Sequence, residues 1–334
     1  MLAIVVMAFV AACGGRQEYL LEGKTMGTTY HIKVVAGRSF DPAAAQAAVA
    51  VCLERVNQSM STFRPDSEIS RFNALATADT PLAISNDFLR VMQTAQRIYH
   101  LTDGAWDGTV APLVKIWGFG KDGPLRQVPA AAAVERARQA VGFDLIAIEA
   151  DGRLSKKRPG VTLDLASIAK GYGVDQVAAV IAGLGFKDYL VEIGGEVYAA
   201  GQRPDGKPWR VGINRPEAAA AADAVYKVVP LHNRALATSG DYRNFYQVEG
   251  KSYSHIIDPR TGSPIVNHVV SASVVAGDCT LADGLATGLM VMGPAQGVAL
   301  LDRLDGVEGL IVTRRPDGTL EDHLSKGMAA LMTE

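Results

Sequence analysis

Residues 25–37, "TMGTTYHIKVVAG", alternate apolar with polar positions, the period of a half-buried strand. From Asp41 the period lengthens to that of a helix over "DPAAAQAAVAVCLERVNQSMS", with Asp41 as N-cap and Pro42 in the first turn. A second helix is expected over "SNDFLRVMQTAQRIYHLT", capped by Ser85, and a third over "AAAAVERARQAVG", stopped by Gly142. Strand patterns follow at "LIAIEAD", "VTLDL", "YLVEIGGEVYAAG", "WRVGIN", "VYKVVPL", "ALATSGDY", "FYQVEGKSYSHII", "VVSASVVA" and "GLIVTRRPDGTLEDH", with further helices starting at Ser167 and near Thr280. Strands that follow one another through short turns favour antiparallel pairing. The pattern therefore predicts an α+β fold in which a largely antiparallel sheet packs with helices.

The chain's 334 residues, 48% of them apolar, suffice for one large domain or two average ones. The low-complexity stretch "PEAAAAADA" at 216–224 lies between two strand patterns, which fits a surface excursion rather than a linker. A single domain over 23–334 is expected. Before it, "MLAIVVMAFVAACGG" is an apolar run too short to span a bilayer that ends in small residues before Cys13. Val10-Ala11-Ala12-Cys13 resembles a bacterial lipobox, which implies a signal peptide over 1–13, lipidation of Cys13 and a polar tether over 14–22. The expectation is a periplasmic protein anchored by lipid to a membrane, with the inner membrane as the first choice. Cys52 and Cys279 stand far apart in sequence and read as buried small hydrophobes.

Net charge is -2, and no run of Lys and Arg interleaved with aromatics is present, which argues against a nucleic-acid partner.

Several stretches could carry chemistry. Asp283 and Thr287, at i and i+4, share one helix face and offer hard oxygen ligands suited to Mg2+. Gly284 and Gly288 beside them would let either a bulky ligand or a neighbouring helix approach. Asp164 precedes a helix that starts at Ser167 and carries Lys170 in its first turn. A cation there opposes the helix dipole, which a bound phosphate or a partner carboxylate such as Asp164 would explain. Trp106 and Trp117 flank Asp107, which suits a planar ligand or plain core. Gly194-Gly195-Glu196 reads as a turn or bulge. In "SYSHIIDPRTG", His255 ends a strand beside Asp258 and Arg260, and it can act as a base near neutral pH or belong to a turn.

Taken together, "TMGTTY", "MSTFRPDSEISRFN", "GAWDGTVAPLVKIWGFG", "DLASIAKGYGVD", "IGGEVYAAG", "ATSGDYRNFY", "HIIDPRTGSPI" and "ADGLATGLMVMG" resemble, in order and over most of 23–327, the ApbE family of FAD:protein FMN transferases. The resemblance implies T-fold-like repeats and a Mg2+-dependent transfer of FMN from FAD to a Thr or Ser hydroxyl, with AMP released. The acceptors implied are flavoprotein subunits of sodium-pumping quinone reductase or Rnf-type complexes. It also implies that Met26, Phe63, Ala105, Trp106, Asp107, Asp164, Lys170, His255 and Ile256 contact FAD. Asp283, Thr287 and a main-chain oxygen near Ser167 would hold the metal, and His255 would activate the acceptor hydroxyl. Two rival readings use the same pocket: hydrolysis of FAD to FMN and AMP, and FAD storage without catalysis.

Overall fold

The computed structural model describes residues 15–119, 128–217, 221, 224–241, 245–248 and 251–332; the leader and Cys13 lie outside them. Eight strands form the main sheet: β1 (Gln17–Thr25), β2 (Thr28–Ala36), β3 (Tyr189–Ile193), β4 (Glu196–Ala200), β5 (Arg234–Gly240), β6 (Val269–Ala276), β7 (Glu308–Arg314) and β8 (Leu320–Leu324). Each pairs antiparallel with the next in chain order. The long helices are α1 (Pro42–Met60), α2 (Asn86–Leu101), α3 (Ala166–Gly183) and α4 (Cys279–Leu301). The sheet divides into two halves of the same order, β1-β2-α3-β3-β4 and β5-β6-α4-β7-β8, with α1 and α2 inserted into the first. This duplicated ββ-helix-ββ order matches the repeats expected.

Local sequence explains the helix starts. Asp41 accepts from the amides of Ala43 and Ala44, and Ser85 accepts from Phe88 N, so each cap satisfies donors that the first turn leaves open. α1 buries Ala45, Val49, Cys52, Leu53, Val56 and Met60, an apolar stripe at helical spacing. α3 and α4 cover one face of the sheet. The other face is closed by the hairpin of Trp209–Asn214 with Val225–Leu231 and by the short helix Lys326–Leu331. Burial on both faces is why β6 is buried at every position. α4 is apolar and long enough to cross a bilayer, yet most of it is buried in this layer, as a core helix is.

α3 and α4 approach closely at Gly171, where an added Cβ would lie 2.3 Å from the Cys279 carbonyl oxygen and 2.8 Å from Asp283 Cβ. A backbone atom cannot yield as a flexible side chain can. Gly171→Ala is therefore expected to destabilise the protein by about 3 kcal/mol, measured by urea unfolding; an unchanged midpoint would contradict this packing.

Three expectations change. Residues 17–22, expected in the tether, belong to β1, the edge strand of the sheet. "VTLDL" makes no strand: Asn73 binds both the amide and the carbonyl of Leu163 through its side chain, replacing the partner strand that the apolar pattern suggested. "FYQVEGKSYSHII" is a hairpin, Phe245–Val248 with Lys251–Ser254, rather than one strand. The short helices Glu68–Ala74, Ala111–Ile116 and Lys326–Leu331 were not foreseen, because each spans too few residues to show a helical period.

Candidate active site

A cavity of about 970 Å³ opens between the β1–β2 turn, the second half of α1 and the start of α3. Met26, Phe63, Asp164 and Lys170, far apart in sequence, all line it. The turn Met26-Gly27 places both residues at positive φ, 48° and 74°. That suits Gly27 but strains Met26, and such strain persists where the surroundings impose it. The Met26 side chain reaches α3 at Gly173, where an added Cβ would lie 2.8 Å from its Cε. Phe63 is 81% exposed at the rim. Leu53, Val56 and Met60 supply an apolar wall from α1, and Asp164 Oδ1 accepts from Ala166 N at the start of α3.

At the inner end Lys170 stands between two buried carboxylates, with Nζ 2.7 Å from Glu196 Oε1 and 3.8 Å from Asp283 Oδ1. Although burial alone would lower it, the charges of Asp283 and Glu196 hold the Lys170 ammonium well above its ordinary range. Burial and the Asp283 carboxylate raise Glu196 above its ordinary range, and the paired Lys170 ammonium opposes that shift and favours the charged carboxylate. Glu196 Oε2 is buried without a hydrogen-bond partner. Asp283 Oδ2 accepts from Gly171 N at 2.9 Å. Thr287 stands one turn beyond Asp283 on α4, its Oγ1 2.9 Å from Ser239 Oγ. Among the described residues no three His, Cys, Asp or Glu side chains cluster for a metal. A carboxylate and a hydroxyl one helical turn apart are hard oxygen ligands of the kind that suits Mg2+, and the buried Asp283 accepts one hydrogen bond among the described residues, with Lys170 3.8 Å away.

A sequence profile of the ApbE family matches residues 26–311. The chain belongs to the ApbE family. It is 42% identical over 323 residues to an FAD:protein FMN transferase of Vibrio cholerae, covering 96% of this chain and 95% of that protein. It is 40% identical over 308 residues to one of Haemophilus influenzae, covering 90% and 89%. Among solved structures it is similar to the flavin transferase ApbE from Vibrio cholerae, with a TM-score of 0.84 and 40% identity over 95% of this chain and 99% of that one. It is also similar to the apo form of Pseudomonas stutzeri flavinyl transferase ApbE, with a TM-score of 0.86 and 35% identity over 97% and 99%.

Other residues expected to serve an ApbE-family site sit elsewhere. Ala105, Trp106 and Asp107 are buried and do not line the large cavity. Trp106 donates its Nε1 proton to Ser167 Oγ at 3.0 Å, tying this loop to the first turn of α3. Asp107 accepts from Thr109 N, Thr109 Oγ1 and Phe143 N, a local frame that orders the loop. Burial pushes Asp107 up to about 6, against the pull of those hydrogen bonds. A carboxyl raised on folding stabilises the native state below its unfolded value and loses that contribution as pH rises through the folded value. This group is therefore expected to remove on the order of 2 kcal/mol between about pH 4 and 6. Asp107→Asn should lose less over that range, measured by urea unfolding at pH 4, 5 and 6; parallel curves would contradict the assignment.

His255 follows the 245–254 hairpin, half-buried, its ring 6.3 Å and edge-on from that of Phe119. Ile256 is buried beside it and does not line the large cavity. Asp258 accepts from Arg260 N and pairs with its guanidinium, and Gly262 N closes the turn onto Asp258 O, as the sequence suggested. Gly284 and Gly288 serve packing, not ligand approach: an added Cβ would lie 2.4 Å from Ile98 Cδ1 and 2.8 Å from Thr102 Cγ2 respectively. Lys170 finds its close carboxylate in Glu196 rather than Asp164. The sequence reading took Glu196 only as part of a turn. Its alternation with Tyr198 and Ala200 on the helix-facing side of β4 was the available signal.

Proposed function

We propose that the protein is an FAD:protein FMN transferase of the periplasm, tethered through lipid on Cys13. The observation that carries the reading is the convergence of Met26, Phe63, Asp164 and Lys170 on one cavity, with the buried Asp283 3.8 Å behind the Lys170 ammonium. An isoalloxazine ring fits between Phe63 at the rim and Met26 on the turn, with the diphosphate towards Lys170. Asp283, Thr287 and the Ser167 main-chain oxygen would hold a Mg2+ ion, which would supply positive charge at the phosphate oxygens. Ala105, Trp106 and Asp107 belong to the loop that meets the FAD, and the Trp106–Ser167 bond ties that loop to the first turn of α3.

In the transfer, a Thr or Ser hydroxyl of the acceptor attacks the FMN phosphorus while His255 takes its proton. A new phosphodiester bond forms, the bond between the two phosphorus centres' bridging oxygen and FMN breaks, and AMP leaves with that oxygen. Ile256 holds the His255 segment against the core. The acceptors are flavoprotein subunits of the kind found in sodium-pumping quinone reductase and Rnf-type complexes.

Chromatographic analysis of FAD incubated with the protein and Mg2+, with and without an acceptor domain, tests the reading. Release of AMP that depends on acceptor is expected. Equal amounts of AMP and free FMN without acceptor would make the protein a hydrolase, and FAD bound but unchanged in both would make it a storage protein.

A further inference from the structure

Among the described residues Lys170 is the only cation paired with the two buried carboxylates Glu196 and Asp283, and it is shared unequally. Its Nζ lies 2.7 Å from Glu196 Oε1 but 3.8 Å from Asp283 Oδ1. Both acids are almost fully buried, with side-chain exposures of 4% and 3%, whereas Lys170 keeps 29% and faces the cavity. The β3–β4 turn fixes this arrangement. Gly194 and Gly195 take positive φ, 61° and 104°, which carries Glu196 onto the helix-facing side of β4. The Lys170 stem passes this turn so closely that a Cβ on Gly194 would lie 3.4 Å from its Cδ.

We propose that Glu196 is a positioning residue that sets the cation affinity of the Asp283 site by holding Lys170 away from Asp283. This rests on the reading of Asp283 as a cation ligand given above. Attraction between charges rises as they approach, and a buried carboxylate left with one hydrogen bond draws in whatever cation can reach it. Lys170 can reach it. With Glu196 in place, the ammonium is engaged and Asp283 Oδ1 stays open to a metal ion. Without that charge, Lys170 turns to Asp283, neutralises it and competes with the metal. The buried, unpartnered Glu196 Oε2 is consistent with a carboxylate retained for its charge rather than for a full set of hydrogen bonds.

The test is Mn2+ binding to the full chain without FAD, followed by the electron paramagnetic resonance signal of free Mn2+. Glu196→Gln is expected to weaken binding at least tenfold, and Lys170→Met in the same chain to restore it. Lys170→Met alone is expected to bind at least as tightly as the wild type, a result that does not depend on how well Glu196 variants fold. Wild-type affinity in Glu196→Gln would overturn the proposal. So would a loss that Lys170→Met fails to restore, since Glu196 would then be a ligand itself. Asp283→Ala should abolish binding throughout. If it binds like the wild type, the cation reading of Asp283 falls and this proposal with it, whereas loss in Asp283→Ala alone sinks only the role of Glu196.

Discussion

Asp283→Ala is expected to abolish Mg2+-dependent turnover of FAD, by 10³-fold or more, while the protein remains folded. Electrostatic stabilisation of charge developing in a reaction is usually the largest single contribution, and removing one preorganised group commonly costs 10² to 10³ in rate. Here one carboxylate is the sole acid in the proposed oxygen set, because Glu196 is engaged with Lys170. The variant also removes the acceptor of Gly171 N, so a stability loss of about 1–3 kcal/mol accompanies it. Initial rates against Mg2+ concentration, with circular dichroism as the control for folding, check both. Activity retained with sensitivity to chelator would move the metal elsewhere on the chain.

His255→Ala is expected to leave FAD binding near the wild-type value and to reduce FMN transfer by 10² to 10⁴, the range for a positioned general base. The ring lies outside the lining of the large cavity, so its loss removes no wall of the proposed flavin site. Its segment is held by other groups: Ile256 N donates to Ser254 Oγ, Ile265 N donates to Ile256 O, and the Asp258 turn is paired within itself. FAD binding by fluorescence quenching and single-turnover transfer separate the two effects. Parallel loss of both would make His255 a positioning residue.

Much of this architecture was legible in the sequence. Asp41 and Ser85 announced α1 and α2 because N-cap chemistry is local, and the spacing of Asp283 and Thr287 fixed a shared helix face for the same reason. What could not be read depended on the partner across a gap. Gly284 and Gly288 fit a ligand or a helix equally well until Ile98 and Thr102 stand opposite them. "VTLDL" carries a strand's pattern, and only Asn73, some ninety positions away in sequence, decides that its polar backbone is satisfied by a side chain. Lys170 was identified as misplaced for its helix dipole, but its close partner is on β4, and no pattern around Lys170 points to Glu196. The tether reading failed on β1 because a polar edge strand shows weak alternation; its pairing with β2 supplies what its composition lacks.

If the cavity lined by Met26, Phe63 and Lys170 serves transfer of FMN to another protein, intact-mass spectrometry of the acceptor shows it. After incubation with the protein, FAD and Mg2+, an acceptor domain is expected to gain the mass of one FMN less one water. Exchanging its Thr or Ser for Ala should remove the gain. An acceptor of unchanged mass while AMP accumulates would contradict the account.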